Sequence, residues 1–188
     1  MRDVTCVVLA AGSATRMGGE KLFRPFRSST ILDAVLDACA GHEVVVVASP
    51  AVASRIARPG IRVIVNDEPQ RGMAHSLRLA NGVVPAEHPL AVVLGDKPLL
   101  TASLISRTVE ALGDADVVFP ERDGVPGHPV VFSEFARALI IGLPDGDSIN
   151  LVRDHEILVR SAIPIEDDGA YVDVDTEEAY RNLMNDNK

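Results

Sequence analysis

The chain has 188 residues, 47% of them hydrophobic and 24% charged, with 27 acidic against 18 basic side chains and a net charge of −9. These proportions belong to a globular protein able to bury a core, and the length predicts one domain over residues 1–188. The acidic balance argues against nucleic acid or an anionic membrane as partner, because both are held by a basic face.

No apolar run approaches the length of a membrane span, and a strand pattern begins almost at the first residue, with no secretory leader before it. Cys6 and Cys39 form no CxxC pair. The expectation is a cytoplasmic protein with two reduced, buried thiols.

Residues 4–11, VTCVVLAA, form a continuous apolar run ended by glycine, the pattern of a strand buried on both faces. Residues 30–40 place Ile31, Val35, Leu36 and Cys39 on one helical face, with Thr30 as N-cap and Gly41 as stop. Strands follow over 43–49 and 62–67, then a helix over 72–82 and a strand over 89–96 that stops on an acid. Thr101 caps a helix over 101–113.

Residues 116–120 and 128–133 flank the turn-forming ERDGVPG and predict a hairpin inserted into the alternation. Helices are predicted over 134–142 and 148–155 and a strand over 156–165. Residues 170–186 cross from strand to a last helix at Asp175-Thr176. Strands alternating with helices predict a three-layer, Rossmann-like α/β fold with a mainly parallel mixed sheet.

The informative stretch is VVLAAGSATRMGGEKL, residues 7–22. In an open α/β sheet the ligand sits outside the carboxyl ends of the strands. A glycine loop there can aim backbone N–H groups at an anion. Gly12 and Gly18 have the spacing of a Walker loop, but Gly19 stands where that loop needs lysine, and the G-x-G-x-x-G pattern is also missing. What remains is a loop with Arg16 and Lys21 five residues apart, each in reach of a different part of a polyphosphate. Taken alone, RMGGEK also reads as an exposed basic loop outside the core.

LAAGSATRMGGEK resembles the signature of the MobA-like nucleotidyltransferases, and other segments agree in type and order: GMAHSL at 72–77, VVLGDKP at 92–98, GHPVVF at 127–132 and VDVDTEEAY at 172–180. Within that family the molybdenum cofactor cytidylyltransferases are the most similar subgroup. The resemblance implies a nucleotidyltransferase fold of the GT-A type and a Mg²⁺-dependent transfer of CMP from CTP to a phosphorylated small-molecule acceptor, molybdopterin cofactor, with release of pyrophosphate. A molybdoenzyme would then receive the product.

Residue by residue, the resemblance carries nucleotide contacts onto Leu9, Ala10, Ala11 and Gly12, and charge neutralisation onto Arg16 and Lys21. Gly72 and Ser76 would face the base, or simply begin and fill a helix. Asp96 and Asp175 would hold the metal, which needs only one or two carboxylates. Asp96 also suits a turn before Lys97-Pro98, and Asp175 a helix cap. Asp173, on the same face as Asp175 if the segment is a strand, would be an outer-shell partner. His128, after a Gly127 read as flexible, would meet the acceptor phosphate or pterin, or be a turn residue.

Three departures stand out. Against the family it resembles, FRPFRSST lacks the glycine usual in the matching loop, Lys97 stands where an uncharged residue is more common, and Glu177 where proline is common. Within the family, transfer of GMP or a sugar-phosphate acceptor are the alternatives. Outside it stands a non-catalytic module that delivers cofactor, while a Rossmann-type dehydrogenase is disfavoured by the missing glycine fingerprint.

Overall fold

The computed structural model describes residues 3–12 and 19–186. Ten strands are seen among them: β1 (Thr5–Ala10), β2 (Pro25–Phe26), β3 (Ser29–Thr30), β4 (Glu43–Ala48), β5 (Arg62–Val65), β6 (Leu90–Leu94), β7 (Val117–Arg122), β8 (Val125–Pro126), β9 (Val130–Phe132) and β10 (Arg160–Pro164). The helices are α1 (Ile31–Ala38), α2 (Pro50–Ala53), α3 (Gly72–Asn81), α4 (Ala102–Glu110), α5 (Glu134–Arg137), α6 (Asn150–Arg153) and α7 (Glu177–Asp186).

The main sheet has the order β10-β7-β9-β6-β1-β4-β5, with β8 on the edge of β7. β1 pairs in parallel with both β4 and β6, β4 with β5, and β10 with β7. β9 runs antiparallel between β6 and β7. Chain order therefore reverses direction across the sheet at β1, so the crevice beside its carboxyl end is the natural ligand position.

β1 is apolar throughout because both of its faces are covered. Cys6, Val8 and Ala10 join one apolar cluster with α1 and α4, while Val7 joins the other with α3 and α5. Each such buried valine contributes about 1.5–3 kcal/mol relative to exposure. Both cysteines are free and buried. Thr30 and Thr101 cap α1 and α4 as predicted, accepting from the Asp33 and Leu104 amides. The predicted hairpin closes through Asp123 and Gly124, both at positive φ, the geometry of a two-residue turn with the strands' own twist.

Several boundaries differ from the sequence expectation. The helix predicted over 134–142 is one α-helical turn followed by a 3-10 stretch, and that over 148–155 shrinks to α6. The strand predicted from 156 begins at Arg160. No strand forms over 170–174. Its residues alternate, with Asp173 and Asp175 exposed about a buried Val174, but no neighbouring strand pairs with them. The Val174 amide instead donates to the Asp96 carbonyl at 3.1 Å. The turn between β2 and β3 puts Arg27 at a φ of +51°, a conformation glycine takes more readily, which accounts for the position of the missing glycine in FRPFRSST.

Candidate active site

At the carboxyl ends of β1 and β6 lies a cleft of about 360 Å³ lined by Leu9, Ala11, Gly12, Pro69, Gly72, Met73, Ser76, Leu94 and Asp96. Five of the predicted nucleotide contacts and one predicted metal ligand thus meet on one surface. Ala10 does not join them. Strand alternation turns its side chain into the apolar cluster on the opposite face. Arg16 lies outside the described residues.

Gly95 brings β6 close to β1 at this point. Its amide donates to the Leu9 carbonyl at 3.0 Å, and a Cβ there would stand 3.1 Å from the same oxygen. The glycine before Asp96 therefore allows the acid to emerge directly beside the end of β1.

Lys21 is on a short 3-10 turn, Gly19–Phe23, and is not the exposed loop residue that RMGGEK taken alone also allows. It is 8% exposed. Its Nζ donates to Asp96 Oδ2 at 2.7 Å and to Asp175 Oδ1 at 2.8 Å. Burial alone pulls the ammonium's pKa down, but the hydrogen bonds to Asp175 and Asp96 outweigh it and raise the pKa, so Lys21 is charged at neutral pH. Asp175 does not cap α7, because Thr176 does so by accepting from the Ala179 amide at 3.1 Å.

Behind this pair sits Lys97, 4% exposed, donating to the Tyr171 carbonyl at 2.8 Å and lying 3.9 Å from Asp173 Oδ2. Burial lowers its pKa against the opposing pull of Asp173. The Asp173 carboxyl, only half exposed, is shifted up by desolvation of its covered side; Lys97 opposes this, and Asp175 and Asp96 add to it. Lys97 thus ties the backbone of the acidic segment to the end of β6.

Because β9 runs antiparallel, its beginning lies at the carboxyl end of β6, and this brings His128 to the same end of the sheet. Its Nδ1 is 3.4 Å from the Val92 carbonyl, and burial followed by the Lys97 charge lowers its pKa to about 4. The imidazole is neutral near pH 7. Gly127 is not a flexible hinge: a Cβ there would meet Ala170 Cβ at 2.8 Å and the Ala170 oxygen at 3.0 Å. The glycine is needed because the segment leading to Asp173 passes directly over it.

Gly72 answers to a similar constraint, with a φ of +82° and Gly146 Cα 3.2 Å from where its Cβ would be. Ser76 is 5% exposed and accepts from Asn66 Nδ2 at 2.9 Å. Asn66, Pro69, Met73 and Leu94 were not singled out in the sequence. Met73 lies inside the glycine-to-serine segment and Pro69 three residues before it, so widening that motif by a few residues also finds Pro69.

The family model described as a MobA-like NTP transferase domain matches residues 6–156. The chain belongs to that family. As a MobA-like nucleotidyltransferase it is 27% identical over 191 residues to the molybdenum cofactor cytidylyltransferase of Escherichia coli (strain K12), covering 96% of this chain and 95% of that protein. The crystal structure of the Mycobacterium tuberculosis Rv0371c homolog from Mycobacterium sp. strain JC1 superposes with a TM-score of 0.87 at 26% identity, covering 99% of this chain and 98% of that one. A structure of Rv0371c from M. tuberculosis H37Rv in complex with manganese gives 0.81 at 26% identity, with 98% of each chain covered. No helix of the described residues is long and apolar enough to cross a membrane.

Proposed function

We propose that this MobA-like nucleotidyltransferase transfers CMP from CTP to a phosphorylated acceptor, molybdopterin cofactor, with release of pyrophosphate. The observation that carries the reading is the convergence of Asp96 and Asp175 on one cation, Lys21 Nζ, at the rim of a cleft built from the signature residues. Similarity to the E. coli cytidylyltransferase over nearly the whole chain supports the choice of base and acceptor.

Two carboxylates that already share one cation have the donor chemistry of a hard divalent ion, and the manganese complex of the mycobacterial relative is consistent with such an ion. Asp96 and Asp175 would hold Mg²⁺, which when bound neutralises charge on the nucleotide phosphates. A phosphate monoester is anionic near neutral pH, so its oxygen can attack the α-phosphorus without a protein base. The new bond joins the acceptor oxygen to that phosphorus, and pyrophosphate leaves with the electrons of the broken one.

In this reading the protein acts by positioning and by fixed charge. Lys21, released from Asp96 and Asp175 by the incoming ion, would turn its ammonium to the phosphates, with Arg16 as the second cation. Gly12 and Ala11 would let the triphosphate approach the backbone, Leu9 and Leu94 would wall the cleft, and Gly72 and Ser76 would meet the base. Neutral His128, its Nδ1–H turned to the Val92 carbonyl, would accept a hydrogen bond at Nε2 from an N–H of the acceptor without adding charge, and Asp173 would orient Lys97 beside it.

A pyrophosphate-release screen of the four NTPs against molybdopterin cofactor, sugar phosphates and other phosphorylated acceptors tests this. Turnover with CTP and molybdopterin cofactor above all other pairs is expected. Preference for GTP or for a sugar phosphate would replace the base or the acceptor, and no turnover with any pair would overturn the reading.

A further inference from the structure

The hydroxyl that lines the cleft is oriented from behind. Asn66 follows β5 directly and is fully buried. Its backbone amide donates to the Ala48 carbonyl at 2.8 Å, extending the ladder with β4 by one bond. Its side-chain Oδ1 accepts from the Glu68 amide at 2.9 Å. A backbone N–H can only donate, so this contact fixes which end of the carboxamide is oxygen and turns Nδ2 the other way. Nδ2 then donates to Ser76 Oγ at 2.9 Å.

Ser76 Oγ is therefore an acceptor on its inner side, and its proton has no acceptor among the described residues. The side chain is almost fully covered yet lines the cleft, so that proton has one useful direction. A ligand donor presented to Ser76 would leave the hydroxyl proton unsatisfied in a dry site, while a ligand acceptor would satisfy it.

We propose that Asn66 is a specificity-determining positioning residue: through Ser76 it makes this wall of the cleft a hydrogen-bond donor, which selects a base that presents an acceptor there. The inference rests on the nucleotide reading of the cleft. For cytosine it puts the ring edge bearing O2 and N3 against Ser76 and sends the exocyclic amino group elsewhere. Any base offering an N–H at that position is disfavoured.

The test is nucleotide binding by calorimetry, with Mg²⁺, to wild type, Asn66→Ala, Ser76→Ala and the double variant. Because both residues act through one hydroxyl proton, each single change is expected to weaken CTP about tenfold and the double no further. A merely structural Asn66 would instead add its loss to that of Ser76. Unchanged CTP affinity in Asn66→Ala, or additive losses, overturns the proposal while leaving CTP binding by the wild type intact.

Should Asn66→Ala not fold, 3-deaza-CTP and 2-thio-CTP, which remove N3 or weaken O2 as acceptor, decide the matter without it. At least one should bind wild type about tenfold more weakly than CTP and lose that handicap in Ser76→Ala. Equal binding of CTP and both analogues to wild type overturns the proposal, and failure of the wild type to bind any nucleoside triphosphate overturns it together with the function on which it rests.

Discussion

Lys21 and Asp96 are 75 residues apart in the chain, and their side chains meet at 2.7 Å, with Asp175 closing the same contact from the other side. One ammonium holds two carboxylates together. Replacing it should have two separable effects. In Lys21→Met, turnover should fall about 10²–10³-fold through loss of charge at the phosphates. The fold should lose about 1–2 kcal/mol from two carboxylates left facing each other, a value between exposed and buried pairs. Added Mg²⁺ or Mn²⁺ should restore melting temperature but not turnover. A melting temperature indifferent to both lysine and metal would show that the carboxylates are not an ion site.

Metal binding itself is read by titrating Mn²⁺ in the presence of a non-hydrolysable nucleotide. Asp96→Asn removes an anionic oxygen at nearly constant volume and should weaken Mn²⁺ by roughly tenfold or more. Asp175→Asn should weaken it less, because the Asp175 side chain is more exposed than that of Asp96. Two unchanged titrations would move the metal elsewhere.

His128 makes stability depend on pH. Its imidazole is held at about 4 by burial and the Lys97 charge, against 6.5 in the unfolded chain. Between these values only the unfolded chain takes up the proton. Stability therefore rises with pH across the window and is lost as pH falls from about 6.5 towards 4, by at most about 3 kcal/mol. Urea unfolding at pH 7 and pH 4.5 checks this: His128→Gln should lose clearly less stability over that interval than wild type.

Arg137 is 5% exposed and directs its guanidinium at five oxygens: Asn81 Oδ1 and the carbonyls of Asn81, Val84, Pro85 and His88. It fastens the end of α3 and the loop before β6 to α5. Arg137→Met should destabilise the fold by about 3–4 kcal/mol in urea titrations, because those acceptors are left buried. Arg137→Lys should recover only part of this, since three donors on a flexible stem cannot match a planar fork. Nucleotide affinity of the folded fraction should stay as in wild type.

The middle of the sheet was legible because β1 and β4 are buried on both faces. VTCVVLAA and EVVVVAS carry a signal that needs no tertiary information. Most of the residues lining the cleft were legible through short motifs, Gly12, Gly72, Ser76 and Asp96 among them, while Pro69, Met73 and Leu94 were not. Asn66 was not, because it fell inside the strand predicted over 62–67, and only the Glu68 and Ser76 contacts reveal its task. The segment 170–174 misled for the converse reason. Its alternation of apolar and acidic residues matches a half-buried strand, yet what orders it is a carbonyl of Asp96 and the ammonium of Lys97. Arg137 offers no pattern at all, since its five acceptors are mostly backbone oxygens.

The bond from Lys21 to Asp175 spans 154 residues. During synthesis the chain emerges from its amino end, so Leu9, Gly12, Gly72, Ser76 and Asp96 are all available long before residue 175 has been made. The residues that line the cleft are thus all made while the carboxylate pair is still half built. Closing a loop of that length is also the slowest kind of contact to form. On the proposed reading, group transfer would wait until residue 175 has been made and the second carboxylate reaches Lys21.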